Sequence, residues 1–277
     1  SSAASDVYKR QVLTFREVLE KSSNVGIMKA ALRLGGEPFL ETVERFQLGE
    51  KTGIDLPGEG VGEMHVARNW QRRSFVAYAS FGQGITLTPL QLANSFAALA
   101  NGGRLHRPYV VAAVGRDGER EPVAPGGRMV GRVISTATAQ TLMRLLEGVV
   151  ETGTGRAAAL PGYRVAGKTG TAQVAENGRY SPTARVASFV GVVPSRAPRY
   201  VVAIVLDRPQ GRTEGGFVAA PVFASMMSDA LAYLGVPPDA DPWQTEVAWL
   251  RLDDQPTEVA RLSAGRPAAI GTPGASR

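Results

Sequence analysis

Residues Tyr163 to Thr171 read Tyr-Arg-Val-Ala-Gly-Lys-Thr-Gly-Thr, a short apolar run followed by a lysine and two threonines. In a strand, successive side chains point to opposite faces, so Thr169 and Thr171 share one face, and Lys168 and Gly170 the other. Two hydroxyls beside an ammonium are suited to bind a carboxylate, and Gly170 leaves room for a ligand against the strand. The stretch therefore predicts a strand that carries a carboxylate site.

The same letters fit a second pattern, because residues 162–169 spell G-x-x-x-x-G-K-T, the phosphate-binding P-loop. A P-loop follows a strand, whereas residues 157–161 are three alanines, a leucine and a proline. Shortly after Thr169 comes Asn177-Gly178, which predicts a tight hairpin turn. The sequence favours a strand in a hairpin, and a P-loop nucleotide-binding protein is the alternative interpretation.

The composition limits the possible functions of the chain. Its 277 residues are 44% hydrophobic, enough for one large core, and no apolar run reaches the roughly 18 residues that a membrane span needs. Without cysteine, and with only the isolated His65 and His106, neither disulfides nor a Cys/His metal site is expected, and we predict no metal or cofactor. The net charge is +6, but the lysines and arginines are scattered along the chain and form no cluster, which argues against nucleic-acid binding.

Composition also divides the chain into three regions. Residues 1–11 show no periodicity, so we expect a non-native or disordered leader. Residues 12–235 are expected to form the domain, in which the lysine strand and the β-rich segments 185–193 and 200–206 make an antiparallel meander; residues 108–114 are also predicted as a strand. Residues 236–277 are rich in proline and poor in large apolar residues, which predicts a disordered tail.

Two short helical segments meet near the start of the domain. The first opens with a capping box at Thr14 to Glu17. Ser22-Ser23-Asn24 interrupts the apolar spacing, which resumes until Gly35-Gly36. Taken alone, Ser22-x-Asn24 is typical of a helix N-cap, so any chemical role depends on a partner motif.

Ser-x-Asn at a helix junction, followed downstream by Lys-Thr-Gly on a strand, occurs in penicillin-binding proteins and β-lactamases. The chain from Val12 to Leu234 resembles the transpeptidase domain of class B penicillin-binding proteins, most closely the division-specific peptidoglycan D,D-transpeptidases. The segments that carry the resemblance are residues 168–173 (KTGTAQ), 81–84 (FGQG) with 88–93 (TPLQLA), 51–59 (KTGIDLPGE), and 215–216 (GG) with 220–223 (APVF).

The resemblance implies an α/β (α+β) fold of the penicillin-binding protein and serine β-lactamase type, with an antiparallel sheet flanked by helices. It implies a serine-type acyltransferase that transfers the acyl group of a D-Ala-D-Ala stem peptide, with release of the terminal D-Ala, to the amine of a neighbouring stem, crosslinking the septal cell wall. β-Lactams would mimic that substrate. Full-length members act at the periplasmic face of the inner membrane, with a membrane-embedded glycan polymerase and division proteins as the expected partners.

The resemblance also implies roles for individual residues. Ser22 would relay a proton to the leaving group, and Asn24 would hold the substrate amide. Lys168 would polarise Ser22 and attract the terminal carboxylate, which Thr169 and Thr171 would bind, and the Thr171 amide would form half of the oxyanion hole. We therefore expect the Ser22 hydroxyl and the Lys168 ammonium to lie about 2.6 to 3.2 Å apart.

One family motif is absent from the sequence. None of the lysines, at positions 9, 21, 29, 51 and 168, has a serine three residues before it, so the S-x-x-K nucleophile motif is missing. We expect the chain to be the C-terminal part of a longer enzyme, with the N-terminal part of its transpeptidase domain missing, and to be inactive alone. The alternative is a lineage that lost the nucleophile and became a non-catalytic penicillin-recognition or scaffold module.

Overall fold

A computed structural model describes residues 12–64, 67–115, 119, 121–122, 128–176 and 179–239, so residues 1–11, the Asn177-Gly178 turn and most of the predicted tail lie outside the described residues. The helices are α1 Phe15–Glu20, α2 Asn24–Leu34, α3 Gly36–Arg45, α4 Ala67–Trp70, α5 Arg73–Ala79, α6 Pro89–Ala100, α7 Thr136–Glu151, α8 Gly215–Val218 and α9 Ala220–Tyr233, with a 3-10 turn at Arg156–Ala158. The strands are β1 Arg104–Arg107, β2 Ala113–Val114, β3 Glu121–Pro122, β4 Arg128–Arg132, β5 Ala166–Glu176, β6 Arg179–Val193 and β7 Tyr200–Asp207.

The lysine strand is the first strand of an antiparallel meander. The described sheet has the order β5-β6-β7, with Lys168 opposite Val190 and Val190 opposite Ala203. The valine-rich β6 and β7 suit a sheet packed on both faces. Because Gly167 and Lys168 lie in this ladder, their backbone is extended and cannot form the curved anion nest of a P-loop. The predicted hairpin strand is confirmed.

Helices cover both faces of this sheet. On one face Phe189 packs edge-to-face against Phe223 of α9, with ring centroids 5.0 Å apart. On the other face Val192 packs against Leu146 and Val149 of α7. This alternation along β6 fixes which face each residue of β5 presents: Lys168 lies on the α7 face, and its two neighbouring threonines lie on the α9 face.

The sequence patterns that mark helix starts correspond to capping boxes in the structure. Thr14 and Glu17 form the predicted capping box at α1. Thr88 and Gln91 form a second one at α6, with Pro89 in the first turn.

The predicted strand over residues 108–114 is wrong. Only β1, which ends at Arg107, and β2, which begins at Ala113, are extended in this region. Between them the amides of Val110 and Val111 donate to the Asp55 carboxylate at 2.7 and 2.9 Å. A side chain far away in sequence therefore satisfies these donors in place of a sheet partner, and the same bonds hold the pKa of Asp55 below its usual range.

The helical segment Gly215–Tyr233 is long and apolar enough to cross a membrane by length and composition alone. In the structure, however, Phe223, Met227 and Leu231 of this segment are buried in the core. One face of the segment therefore packs on the core of the domain.

Candidate active site

Ser22 lies in the tight turn between α1 and α2. Its φ of 51° is in the left-handed region, which is uncommon for a residue other than glycine. Ser23 is the N-cap of α2, because its hydroxyl accepts the Gly26 amide at 3.2 Å. The N-cap interpretation of Ser22-x-Asn24 is therefore wrong: Asn24 is the first residue of the helix, and the Ser22 hydroxyl is not used in capping.

The Ser22 hydroxyl instead meets the lysine of β5. Lys168 Nζ donates to Ser22 Oγ at 2.8 Å and to the Thr169 carbonyl at 3.0 Å, although 146 sequence positions separate the lysine from the serine. The distance lies within the expected range. Burial lowers the pKa of the Lys168 ammonium to about 8, so the group is mainly charged at neutral pH and about half neutral near pH 8.

The two threonines lie on the opposite face of β5, as predicted. Thr171 Oγ1 accepts the Gly215 amide at 3.0 Å, and Thr169 Oγ1 lies 2.8 Å from Thr154 Oγ1. Both contacts are with segments that pack beside the strand. They fix the threonine side chains at the edge where Lys168 also lies.

Two glycines allow α8 to pack directly on β5. A Cβ added to Gly215 would lie 2.3 Å from the Ser188 carbonyl oxygen and 2.4 Å from that of Gly170. One added to Gly216 would lie 2.4 Å from the Thr154 carbonyl oxygen. Only glycine allows this approach without displacing backbone.

The sequence predicts that the glycine at position 170 leaves room for a ligand against the strand, and this prediction is wrong. A Cβ at Gly170 would lie 2.4 Å from Ser188 Oγ on the neighbouring strand. The space beside Gly170 is therefore occupied by a side chain of β6, although Gly170 also lines the groove.

These residues line one groove of about 1770 Å³ that includes Ser22, Asn24, Lys168 and the segment Thr169 to Thr171. One wall is apolar and comes from four helices, with Val18, Leu19, Ile27, Phe96, Leu142 and Leu146 among its residues. The volume exceeds the roughly 300 to 1,000 Å³ of a usual small-molecule pocket. The groove is thus larger than one small ligand needs.

A contact between two segments far apart in the sequence lies at the groove. The Gly84 amide donates to the Tyr180 hydroxyl at 2.9 Å, linking the 81–84 loop to the start of β6. In the part of the chain that the structure describes, no cluster of three or more His, Cys, Asp or Glu side chains could hold a metal ion. The polar groups that line the groove suit recognition of an anion and transfer of a proton.

Some residues at the groove carry no sequence signal for a site. Thr154 stands in Gly153-Thr154-Gly155, which the sequence indicates only as the end of a helix. Tyr180 comes shortly after the predicted hairpin turn, and its residue type is ordinary for a strand. Their positions depend on contacts between elements far apart in the chain.

Comparison with known proteins agrees with this arrangement. The family described as penicillin binding protein transpeptidase domain matches residues 2–228. The chain belongs to this family. The match begins within the segment predicted as a leader, whose structure lies outside the described residues.

Named relatives in the family share more than a third of their aligned residues with the chain. Stage V sporulation protein D of Bacillus subtilis is 38% identical over 240 residues, covering 85% of this chain and 37% of the relative. Peptidoglycan D,D-transpeptidase FtsI of Escherichia coli K12 is 37% identical over 241 residues, covering 85% of this chain and 38% of the relative. The chain thus spans well under half the length of these relatives.

Solved structures show the same fold. Penicillin binding protein 3 of Mycobacterium tuberculosis, complexed with ampicillin, superposes with a TM-score of 0.76 at 36% identity, covering 83% of this chain and 53% of that one. The apo transpeptidase domain of Burkholderia pseudomallei penicillin-binding protein 3 superposes with a TM-score of 0.72 at 35% identity, covering 82% of this chain and 66% of that one. The predicted α/β transpeptidase fold is confirmed, and the P-loop and scaffold alternatives gain no support.

Proposed function

We propose that the chain is the C-terminal part of a serine-type peptidoglycan D,D-transpeptidase, and that it is inactive without an upstream nucleophile. The observation that carries this proposal is the 2.8 Å contact between Lys168 Nζ and Ser22 Oγ in a groove of this family's fold. A hydroxyl bonded to a partly buried ammonium, next to two threonine hydroxyls, suits acyl transfer from a peptide that ends in a carboxylate.

Recognition of the donor peptide is the first task of the site. The D-Ala-D-Ala carboxylate would bind at the edge of β5, where Thr169 and Thr171 supply hydroxyl donors and Lys168 supplies positive charge. β5 is the edge strand of the described sheet, so the peptide backbone can lie alongside it. Asn24 at the start of α2 would hold the peptide amide from the opposite wall.

Proton transfer is the second task. A serine nucleophile, whose proton the lysine of the same S-x-x-K motif would take, would attack the carbonyl of the penultimate D-Ala. The amide of Thr171 would stabilise the oxyanion, a contribution of about 3 kcal/mol for one such donor. Ser22 would give its proton to the departing D-Ala amine, while the neighbouring Lys168 polarises the hydroxyl and can replace the proton. The amine of a second stem peptide would then take the acyl group and complete the crosslink.

The nucleophile would come from a preceding segment that carries S-x-x-K. The size of the groove and its apolar wall on α1, α2, α6 and α7 support this, because such a wall is suited to pack against further apolar chain. The relatives are also much longer than the matched region. β-Lactams would acylate the same serine.

The wider setting is part of the same proposal and is supported by membership of the family. We infer a role in septal peptidoglycan synthesis during cell division, at the extracytoplasmic face of the bacterial inner membrane. A glycan polymerase in that membrane and division proteins are the proposed partners of the full-length protein. Residues 12–235 would form part of its transpeptidase domain, with residues 1–11 as leader and 236–277 as tail.

Carboxylate recognition can be tested on the chain itself. We expect N-acetyl-D-Ala-D-Ala to bind weakly and its C-terminal amide to bind at least about fivefold more weakly, because a hydrogen bond to a charged group is lost. Lys168 is cationic below its pKa of about 8 and neutral above it, so affinity for the dipeptide should be highest below pH 8 and fall as the pH rises through 8. NMR titration at several pH values measures both effects.

The matched control is Lys168→Arg, since arginine stays charged at every pH used. Its affinity for the dipeptide should be lower than that of the parent, because the planar guanidinium places its donors differently from the lysine ammonium. This affinity should be independent of pH between about 6 and 10. Equal binding of the acid and the amide, or a parent affinity that does not change with pH, would contradict the proposed role of Lys168.

A further inference from the structure

The loop after α7 contributes a hydroxyl to the groove. Thr154 lies between two glycines, is exposed, and lines the same groove as Ser22 and Lys168. Its Oγ1 is 2.8 Å from Thr169 Oγ1. The two hydroxyls form a pair at the edge of β5, and only Thr169 belongs to the Lys-Thr-Gly motif.

Backbone contacts hold the Thr154 loop against the end of α1 on one side and against α8 on the other. The Thr154 amide donates to the carbonyl of Glu20, the last residue of α1 and two positions before Ser22, at 3.0 Å. A Cβ on Gly153 would lie 2.3 Å from the same carbonyl oxygen. On the other side, Gly216 packs on the Thr154 carbonyl. The loop is thus fixed relative to the serine turn, β5 and α8.

Which of the two hydroxyls donates the hydrogen bond decides whether the Thr169 proton is free for a ligand. Each hydroxyl carries one proton and two acceptor lone pairs. When Thr154 donates to Thr169 Oγ1, the Thr169 proton is left for another acceptor, and the incoming bond polarises it. A carboxylate beside Lys168 is the strongest acceptor that this edge can receive.

We propose that Thr154 is a positioning residue: its hydroxyl donates to Thr169 and directs the Thr169 proton at the carboxylate of the bound peptide. Thr154 thereby acts on the ligand through Thr169 and not by direct contact. This inference rests on the proposed function for the nature of the ligand, but the effect on Thr169 is a property of the free chain.

The test uses the 277-residue chain with three substitutions. Thr154→Val keeps the shape and removes the hydroxyl, whereas Thr154→Ser keeps the hydroxyl. Thr152→Val is the matched control from the same loop, since the Thr152 hydroxyl donates to the Gly148 carbonyl at 3.1 Å and does not line the groove. Two readouts are taken: the NMR three-bond couplings that report the Thr169 χ1 rotamer, and binding of N-acetyl-D-Ala-D-Ala and its amide.

In Thr154→Val we expect the Thr169 rotamer to become averaged and dipeptide affinity to fall about tenfold, the loss typical of a hydrogen bond to a charged group. Affinity for the amide should change by less than about twofold, because its uncharged C-terminal group forms only a weak hydrogen bond with the Thr169 hydroxyl. Thr154→Ser should restore both readouts, and Thr152→Val should leave them unchanged.

Two results would overturn the inference: unchanged Thr169 couplings in Thr154→Val, or equal losses for the acid and the amide, which would indicate a merely structural loop. If the couplings change while the parent chain binds neither ligand, the proposed carboxylate recognition fails and the positioning of Thr169 by Thr154 is supported.

Discussion

Lys168→Ala, in a longer protein that includes the upstream S-x-x-K motif, is expected to slow acylation by a fluorescent penicillin about 10²- to 10⁴-fold, the usual contribution of a positioned proton-transfer group. The substitution removes the ammonium that donates to Ser22 Oγ and to the Thr169 carbonyl. Ser22 then loses the group that polarises its hydroxyl, and the ligand carboxylate loses its counter-charge. Labelling followed over time by gel fluorescence measures the rate.

Lys21→Ala is the matched control, because Lys21 is next to Ser22 in sequence but pairs with Glu17 on the surface at 3.6 Å. A surface pair of this kind contributes little, so its labelling rate should stay within about twofold of the parent's. A Lys168→Ala protein that labels as fast as the parent, with an unchanged melting temperature, would remove Lys168 from the reaction.

Gly215→Ala should both destabilise the domain and impair the site. The new Cβ would meet two backbone carbonyl oxygens, those of Ser188 and Gly170, and neither can rotate away. We expect a cost of about 1 to 3 kcal/mol, as for other overpacked positions, which lowers the melting temperature by roughly 3 to 10 °C for a domain of this size. Displacement of α8 would also break the Gly215 bond to Thr171 Oγ1 and reduce labelling of the longer protein more than about tenfold, comparable to loss of a positioned donor.

Gly131→Ala provides the comparison, since nothing lies within 4 Å of the added Cβ at that position in β4. Its melting temperature should stay within about 2 °C of the parent's, because a half-buried position with free space beside it tolerates a methyl group. Equal melting temperatures for the two variants would mean that α8 does not pack on β5 as described.

Local patterns in the sequence predict much of the fold. The alternation over the Lys-Thr-Gly stretch places Lys168 on one face of β5 and the two threonines on the other, and the capping boxes mark where α1 and α6 begin. These signals succeed because a strand's face and a helix start depend on neighbouring residues. The family resemblance supplies what they lack, the pairing of Ser22 with Lys168 over 146 positions.

Apart from the N-cap position, which falls on Ser23 in place of Ser22 or Asn24, the failures involve partners distant in sequence. The expected strand over 108–114 is interrupted because Asp55 binds the amides of Val110 and Val111. The space beside Gly170 is filled by Ser188 from β6. Thr154 has no motif of its own, and only packing brings it to β5. No local pattern encodes such contacts, since each depends on where two separate elements meet.

The central claim, that these residues form an acyl-transfer site completed by an upstream serine, is tested most directly by mass spectrometry of intact protein after β-lactam exposure. Two proteins are compared: the 277-residue chain and the longer protein with the S-x-x-K motif. We predict no adduct on the 277-residue chain, because covalent catalysis needs a serine whose proton a neighbouring base can take, and Ser22 is placed to relay protons. The longer protein should gain one acyl group on the serine of S-x-x-K. A stoichiometric adduct on any serine of the 277-residue chain, or no adduct on the folded longer protein, would contradict the account.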